Sequence, residues 1–289
     1  MITIELKNKV VAEIRERRTK FAGSDAKYSI SLGINNAVYS RMMAGEVDKI
    51  LSDANWISLA RLMSISLKNE PEWKTALTRT YIEITTKLEK CQEDSLSSMI
   101  CDATDIGKTY TAMIYAKTHM NAKYIDCSQV KSKQKLVRHI AKEFGVGNTG
   151  KYNDVYEDLV FYLRSITNPI IILDEAGDLD YSAFLELKAM WNATERCCGW
   201  MMMGAEALQE KIRRGKDCKK VGYAEIFSRY GNRYQFVTPQ NQDERKKFTQ
   251  QQAALIIKAN APEGTDTQKI LYKTEGSLRR IRTEISKLS

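Results

Sequence analysis

The first stretch of the chain sets apolar residues among many charges at helical intervals. Between Lys9 and Phe21 they fall at Val10, Val11, Ile14 and Phe21, which predicts a helix. The next residues, DAKYSISLGINNAVYSRMMAGE, predict a short helix from Asp25 to Leu32, a break at Gly33 and a second helix starting at Asn35 or Asn36. Glycine suits the tight turn between two helices, and asparagine is a good N-cap. Two further helices, Val47 to Asp53 and Trp56 to Ser64, complete a small expected bundle. The stretch KNEPEW around Pro71 reads as a joint, and a helix from Trp73 to Lys90 leads out of it.

Beyond the joint the pattern changes. Apolar runs alternate with amphipathic helices, as in a parallel sheet covered by helices. Strands are expected at Leu96 to Cys101, Ala122 to Cys127, Ile170 to Leu173 and Gly199 to Gly204. Helices are expected at Tyr110 to Thr118, Lys131 to Phe144, Tyr152 to Ser165 and Ala183 to Thr194. The methionines of GWMMMG read as core filling rather than a metal or redox site. The fold class that follows is α/β, preceded by an all-α domain.

Charge adds a partner class to this picture. Of the 289 residues, 45 are Lys or Arg and 36 are Asp or Glu, a net charge of +9. That excess favours an anionic partner such as nucleic acid. The six cysteines include no C-x-x-C pair, and only two histidines accompany them, which argues against a structural zinc site. Reduced thiols and a cytoplasmic location are expected. The segment MITIELKNKVVAEIRERRTK lacks the apolar core of a signal peptide. No apolar run reaches the roughly 18 residues of a membrane span, so no membrane partner is expected.

Candidate chemistry begins at residues 102–109, DATDIGKT. The loop follows an expected strand and precedes an expected helix, which is the context a phosphate-binding G-x-x-x-x-G-K-[ST] loop requires. Successive backbone N–H groups of Asp102, Ala103, Thr104, Asp105, Ile106, Gly107, Lys108, Thr109 and Tyr110 would then face the phosphates. Lys108 would reach the β- and γ-phosphates, and the Thr109 hydroxyl would bind Mg²⁺. The first glycine of the motif is absent, because Asp102 stands there. Asp and Asn tolerate left-handed backbone better than most residues, so Asp102 and Asp105 are expected to keep the loop's shape. Their carboxylates bring negative charge towards the phosphates.

The run NPIIILDEAGDLD supplies the second half of such a site. Ile170 to Leu173 reads as a strand buried on both faces, ending in Asp174 and Glu175. Acids at the carboxyl end of a central strand lie in the crevice where these sheets bind ligands. Asp174 is the candidate Mg²⁺ ligand and Glu175 the candidate general base.

Two features point to DNA. In a helix-turn-helix the second helix offers its N-terminal half to the major groove. The candidate contacts are Asn35, Asn36, Tyr39, Ser40 and Arg41, against the plainer alternative of a bundle used for protein contact. The basic run KIRRGKDCKK contains Lys211, Arg213, Arg214, Lys216, Lys219 and Lys220. These residues could follow a DNA backbone without reading sequence, or could form a solvated charged loop.

The order GKT, LDEA, an apolar strand, YAEIFSRYGNRYQF and EGSLRRI resembles the AAA+ ATPases. With the N-terminal helices it is similar, more narrowly, to the ATPase subunits of transposition systems, the group of phage Mu's B protein and the TnsC-type regulators. The likeness extends over nearly the whole chain. It implies an AAA+ P-loop NTPase fold with a helix-turn-helix domain over 1–70, an ATPase core over 71–240 and a C-terminal helical lid over 241–289. It implies ATP and Mg²⁺ as ligands. Arg229 matches the arginine finger that enters a neighbouring subunit's site, with Arg233 as second choice. Arg279 matches the lid's sensor-2 arginine, with Arg280 adjacent. Ala205 and Glu206 occupy the sensor-1 position, where neither matches the family's polar residue.

The implied function is a slow ATPase that binds double-stranded DNA largely without regard to sequence. It would assemble as a homo-oligomer, a helical filament or ring, and direct a partner transposase in DNA transposition. A helicase loader or replication initiator of the IstB, DnaC or Orc type is an alternative. So is a transcriptional regulator with a nucleotide-gated oligomerisation module.

Overall fold

The computed structural model describes residues 2–21, 23–63, 65 and 73–288. The expected joint at Pro71, and with it the boundary between 70 and 71, lies outside the described residues.

The N-terminal region is all helical. It comprises α1 (Ile4–Thr19), α2 (Asp25–Ser31), α3 (Asn36–Met43) and α4 (Asp53–Leu62). Val10, Val11, Ile14, Tyr28, Tyr39, Met42, Trp56 and Leu59 form its own buried core. Gly33 turns the chain between α2 and α3 at a φ of +72°, and the Asn35 side chain caps α3 by accepting from Val38 N–H at 2.8 Å. The expected helix from Val47 to Asp53 does not form. Lys49 takes a left-handed φ of 55°, and Ser52 caps α4 so that the helix starts at Asp53.

The helix expected from Trp73 instead starts late, as α5 (Arg79–Glu93). Thr78 caps it, accepting from Tyr81 N–H. Residues 73–78 are drawn off by a tertiary contact: Lys74 N–H donates to Asn260 Oδ1 at 2.7 Å, and Asn260 Nδ2 donates to Lys74 O at 3.0 Å. A local helical pattern does not register such a partner 186 residues away.

From there strands and helices alternate: β1 (Ser97–Cys101), α6 (Lys108–Thr118), β2 (Ala122–Asp126), α7 (Lys133–Glu143), α8 (Tyr152–Ser165), β3 (Ile170–Asp174), α9 (Tyr181–Ala193) and β4 (Gly199–Gly204). The four strands are all parallel, in the order β1-β4-β3-β2. Side-chain alternation divides them cleanly. Met99, Ile171, Leu173, Trp200 and Met202 face one core, with α7, α8 and α9. Ile100, Ile170, Ile172, Met201 and Met203 face the other, with α5 and α6. All three methionines of β4 are fully buried packing residues.

The chain continues through α10 (Glu206–Asp217) and α11 (Tyr223–Arg229) to three C-terminal helices, α12 (Gln242–Asn260), α13 (Thr267–Thr274) and α14 (Leu278–Ser286). These three share a separate small core of Ala253, Ile257, Ile270, Ile281 and Ile285. The arrangement is an AAA+ P-loop fold with helical N- and C-terminal regions. The N-terminal region touches the core where α6 ends. Glu13 accepts from Arg17 at 2.8 Å and from Lys117 at 2.9 Å, and Lys20 Nζ donates to the Lys117 carbonyl at 2.8 Å. Cations at a helix C-terminus are favoured by its exposed carbonyls.

Gly199 shows how closely β4 passes beneath α5. A Cβ there would lie 2.3 Å from the Cys91 carbonyl oxygen and 2.8 Å from its carbon. Backbone cannot give way cheaply, so Gly199→Ala is expected to destabilise the protein by about 1–3 kcal/mol. Urea unfolding followed by circular dichroism checks this; an unchanged midpoint would show the contact to be looser than described.

Candidate nucleotide site

The site is built where β1 and β3 end. After Cys101 the chain turns through 102–107 and enters α6 at Lys108, with Gly107 at φ +97° and Asp105 at φ +61°. Asp105 therefore holds the left-handed conformation expected of it. Asp102 does not, and its role differs from the expectation. It is buried, and its carboxylate accepts from Ala103 N–H at 2.7 Å, Val237 N–H at 2.6 Å, Thr238 N–H at 2.9 Å and the Thr238 hydroxyl. The first-glycine position thus carries an internal acceptor, and its charge is consumed by the segment that runs from β1's neighbour Gln235 towards α12.

Lys108 curls inside the loop. Its Nζ donates to the carbonyls of Asp102 and Ala103, at 2.8 and 2.6 Å. Burial pushes its pKa down, opposed by the charges of Asp102, Asp174 and Glu175. Thr109 Oγ1 donates to Asp174 Oδ2 at 2.6 Å, so the loop's hydroxyl and the strand-end carboxylate meet although they are 65 residues apart. Tyr124 of β2, two residues before the Asp126 that pairs with Asp174, donates its hydroxyl to the same oxygen at 3.1 Å. Nothing in the local sequence marks Tyr124; only the parallel register brings it there. The Tyr110 hydroxyl lies 2.7 Å from that of Thr75.

Glu175 is exposed and left-handed, at φ +48°. Burial of its carboxyl and then the neighbouring Asp174 charge raise its pKa above the usual glutamate value. Hard oxygen donors at Thr109 and Asp174 fit Mg²⁺, which commonly takes only one or two protein ligands and completes its shell with phosphate and water. Among the described residues no group of three or more His, Cys, Asp or Glu could hold a metal ion without such help.

The C-terminal helices reach the loop. Asp105 accepts from Ser277 Oγ at 2.7 Å and from Arg279 N–H at 3.2 Å, and Arg279 Nε lies 3.9 Å from its carboxylate. Arg280 pairs instead with Glu275, at 3.1 Å. Arg229 sits elsewhere. Its Nε donates to Asn192 Oδ1 at 2.8 Å and its guanidinium lies 5.2 Å from the Trp191 ring, while Trp191 is bonded to Ser97 at the start of β1. The length of a five-residue strand, about 16 Å, separates that end of the sheet from the loop. Arg233 is exposed in the turn that follows.

The DNA candidates divide by exposure. Asn36, Ser40 and Arg41 face solvent, Arg41 paired with Glu46 at 2.7 Å. Asn35 is exposed but spends its side-chain oxygen on the cap. Tyr39 is buried against Tyr28 and offers nothing to a groove. The basic run is helix for most of its length, not loop. Lys211 turns inward, donating to the carbonyls of Gly177 and Leu179, and burial lowers its pKa. It leaves the candidate surface. Arg213 and Arg214 both lean on Glu210, at 2.8 and 3.5 Å. Lys216 and Lys220 lie over the rings of Phe227 and Tyr181, at 3.8 and 4.0 Å, and Lys219 is exposed.

Among the described residues no helix is long and apolar enough to cross a membrane. Residues 91–212 match the AAA domain family. The chain is 26% identical over 153 residues to the Mu-like prophage FluMu DNA transposition protein B of Haemophilus influenzae; the match spans 53% of this chain and 52% of that protein. The chain thus spans about half the length of this curated relative. Among solved structures it is similar to the Aeropyrum pernix ORC1 protein in complex with DNA. The TM-score is 0.51 and the identity 16%, over 73% of this chain and 58% of that one. At that identity the likeness is one of fold.

The bonds of Asp102 make a counterintuitive prediction. Asp102→Gly, which restores the ordinary motif, strands three buried donors around Val237 and Thr238 and is expected to cost about 2–4 kcal/mol. Thermal and urea melts test it, and a variant as stable as the parent refutes the structural role.

Proposed function

We propose, from the premise that an AAA domain occupies residues 91–212 of an AAA+ P-loop fold, that this protein is a DNA-binding ATPase of a transposition system. One contact carries the nucleotide part of this reading: Thr109 Oγ1 on Asp174 Oδ2 at 2.6 Å, beside a lysine curled within its own loop. Lys108 binds the β- and γ-phosphates by exchanging two carbonyl bonds for phosphate oxygens. Thr109 and Asp174 would hold Mg²⁺, which when bound would neutralise phosphate charge. Glu175 takes the proton of the attacking water, and its raised pKa moves it towards the pH at which a carboxylate base works best.

Arg229 lies by the opposite end of the sheet from its own loop, so it serves a neighbouring subunit, with Arg233 next in line. ATP bound at a subunit boundary then favours assembly, and a head-to-tail contact that does not close generates a helix. Asn36, Ser40 and Arg41 on α3, with Arg213, Arg214, Lys216, Lys219 and Lys220, provide the surfaces that meet duplex DNA. The name of the Haemophilus relative, a DNA transposition protein B, supports a transposase as the partner. The helix-turn-helix reading of α2 and α3 rests on their spacing and on Gly33.

Lys108→Ala is expected to lower ATP affinity at least tenfold and to abolish ATP-dependent DNA binding. Filter binding with and without a nonhydrolysable ATP analogue reads this; a variant that coats DNA as the parent does removes the nucleotide gate. Glu175→Gln is expected to keep ATP binding and lower turnover at least a hundredfold. In the parent, protonation of Glu175 stops the reaction, so the acid limb of the pH–rate profile lies above 4.5, the ordinary glutamate value. An acid limb at or below that value, or rapid turnover by the glutamine variant, assigns the base role elsewhere.

A further inference from the structure

We propose that Asp105 is a positioning residue that latches the C-terminal helices onto the phosphate loop and competes with the triphosphate for Arg279. The inference rests on the reading of 102–109 as a nucleotide site and extends it to how that site is regulated.

A carboxylate at position 105 is costly on two counts. Its backbone is left-handed, where glycine is at ease and an acid is strained. Its charge also opposes phosphates that approach the loop. The compensation lies 172 residues away, at the start of α14. One carboxylate oxygen takes the Ser277 hydroxyl at 2.7 Å, and the other takes the Arg279 N–H at 3.2 Å. A carboxylate that accepts a free N–H in the first turn of a helix is favoured by both the bond and the helix dipole. Leu278 completes the seat, its Cδ1 lying 3.8 Å from where a Cβ on Gly107 would stand. The start of α14 therefore rests on the loop through two hydrogen bonds to Asp105, with Leu278 beside Gly107.

The two parts of Arg279 are held unequally. Its backbone N–H is bonded to Asp105, whereas its side chain is 84% exposed and its Nε stands 3.9 Å from the same carboxylate. An exposed pair of that length is weak and exchanges readily. A triphosphate on the loop draws the guanidinium away while Ser277 and the N–H stay in place. The lid is thus seated before nucleotide arrives, at the expense of some affinity. Asp102 ties the other end of the same unit, through Val237 and Thr238 ahead of α12.

Two full-length variants separate charge from latch. Asp105→Gly fits the backbone and removes both; Asp105→Asn keeps an acceptor and removes the charge. In nucleotide-free protein, hydrogen exchange of the α14 amides is expected to quicken about tenfold in the glycine variant and to change less than threefold in the asparagine variant. By calorimetry, both variants are expected to bind a nonhydrolysable ATP analogue about fivefold more tightly at low salt, with the gain shrinking in high salt. A merely structural residue, once removed, would weaken binding instead. Unchanged α14 exchange in the glycine variant overturns the latch, and unchanged or weaker analogue binding overturns the competition. If the parent itself takes up no analogue, the nucleotide reading fails and the competition with it, while the exchange measurement still upholds or overturns the latch.

Discussion

Parallel pairing of β1 with β4 and of β4 with β3 is the constraint on which the site depends. All four strands run the same way, so their carboxyl ends share one edge of the sheet. The loop after Cys101 and Asp174 after Leu173 converge there because the register leaves them nowhere else, and the Tyr124 hydroxyl reaches them from the middle of β2. Thr109 and Asp174 meet at 2.6 Å as a consequence of that geometry and not of any local preference. Brought to the end of a buried strand, a hydroxyl and a carboxylate form a polar pair that neither segment makes alone.

The loop itself departs from its motif in a way that changes what an acid there does. Asp102 is buried and satisfied by three donors from 237–238, so it acts as a rivet between the loop and the chain leading to the C-terminal helices. Asp105 faces those helices at their other end. Negative charge near a phosphate loop is thereby turned to internal hydrogen bonding, where it costs the loop less than a free carboxylate would. Hydrogen bonds thus tie the loop to the chain ahead of α12 and to the start of α14.

The basic surface is smaller and better held than a count of cations indicates. Lys211 belongs to the interior, and two of the other cations rest on aromatic rings. What remains outward on α10 and in the turn after it is a short helical ridge, positioned by packing. On α3, Tyr39 does the same for its neighbours, because its burial against Tyr28 orients Asn36 and Ser40 outward.

Periodicity alone determined the alternation of strands and helices, since apolar runs of strand length and amphipathic helices differ in a property each segment carries within itself. Tyr152–Ser165 and Gly199–Gly204 are found where that pattern places them. The GKT and Asp174-Glu175 pairs were equally legible, each being a local string with a local context. Tertiary structure decided the rest. It delayed the start of α5 to Arg79 through Asn260, turned Asp102 inward, drew Lys211 into the fold and set Tyr124 beside Asp174. Each of these depends on a hydrogen-bond partner remote in the chain, and the free energy of a buried polar group is set by that partner, which composition and spacing do not encode.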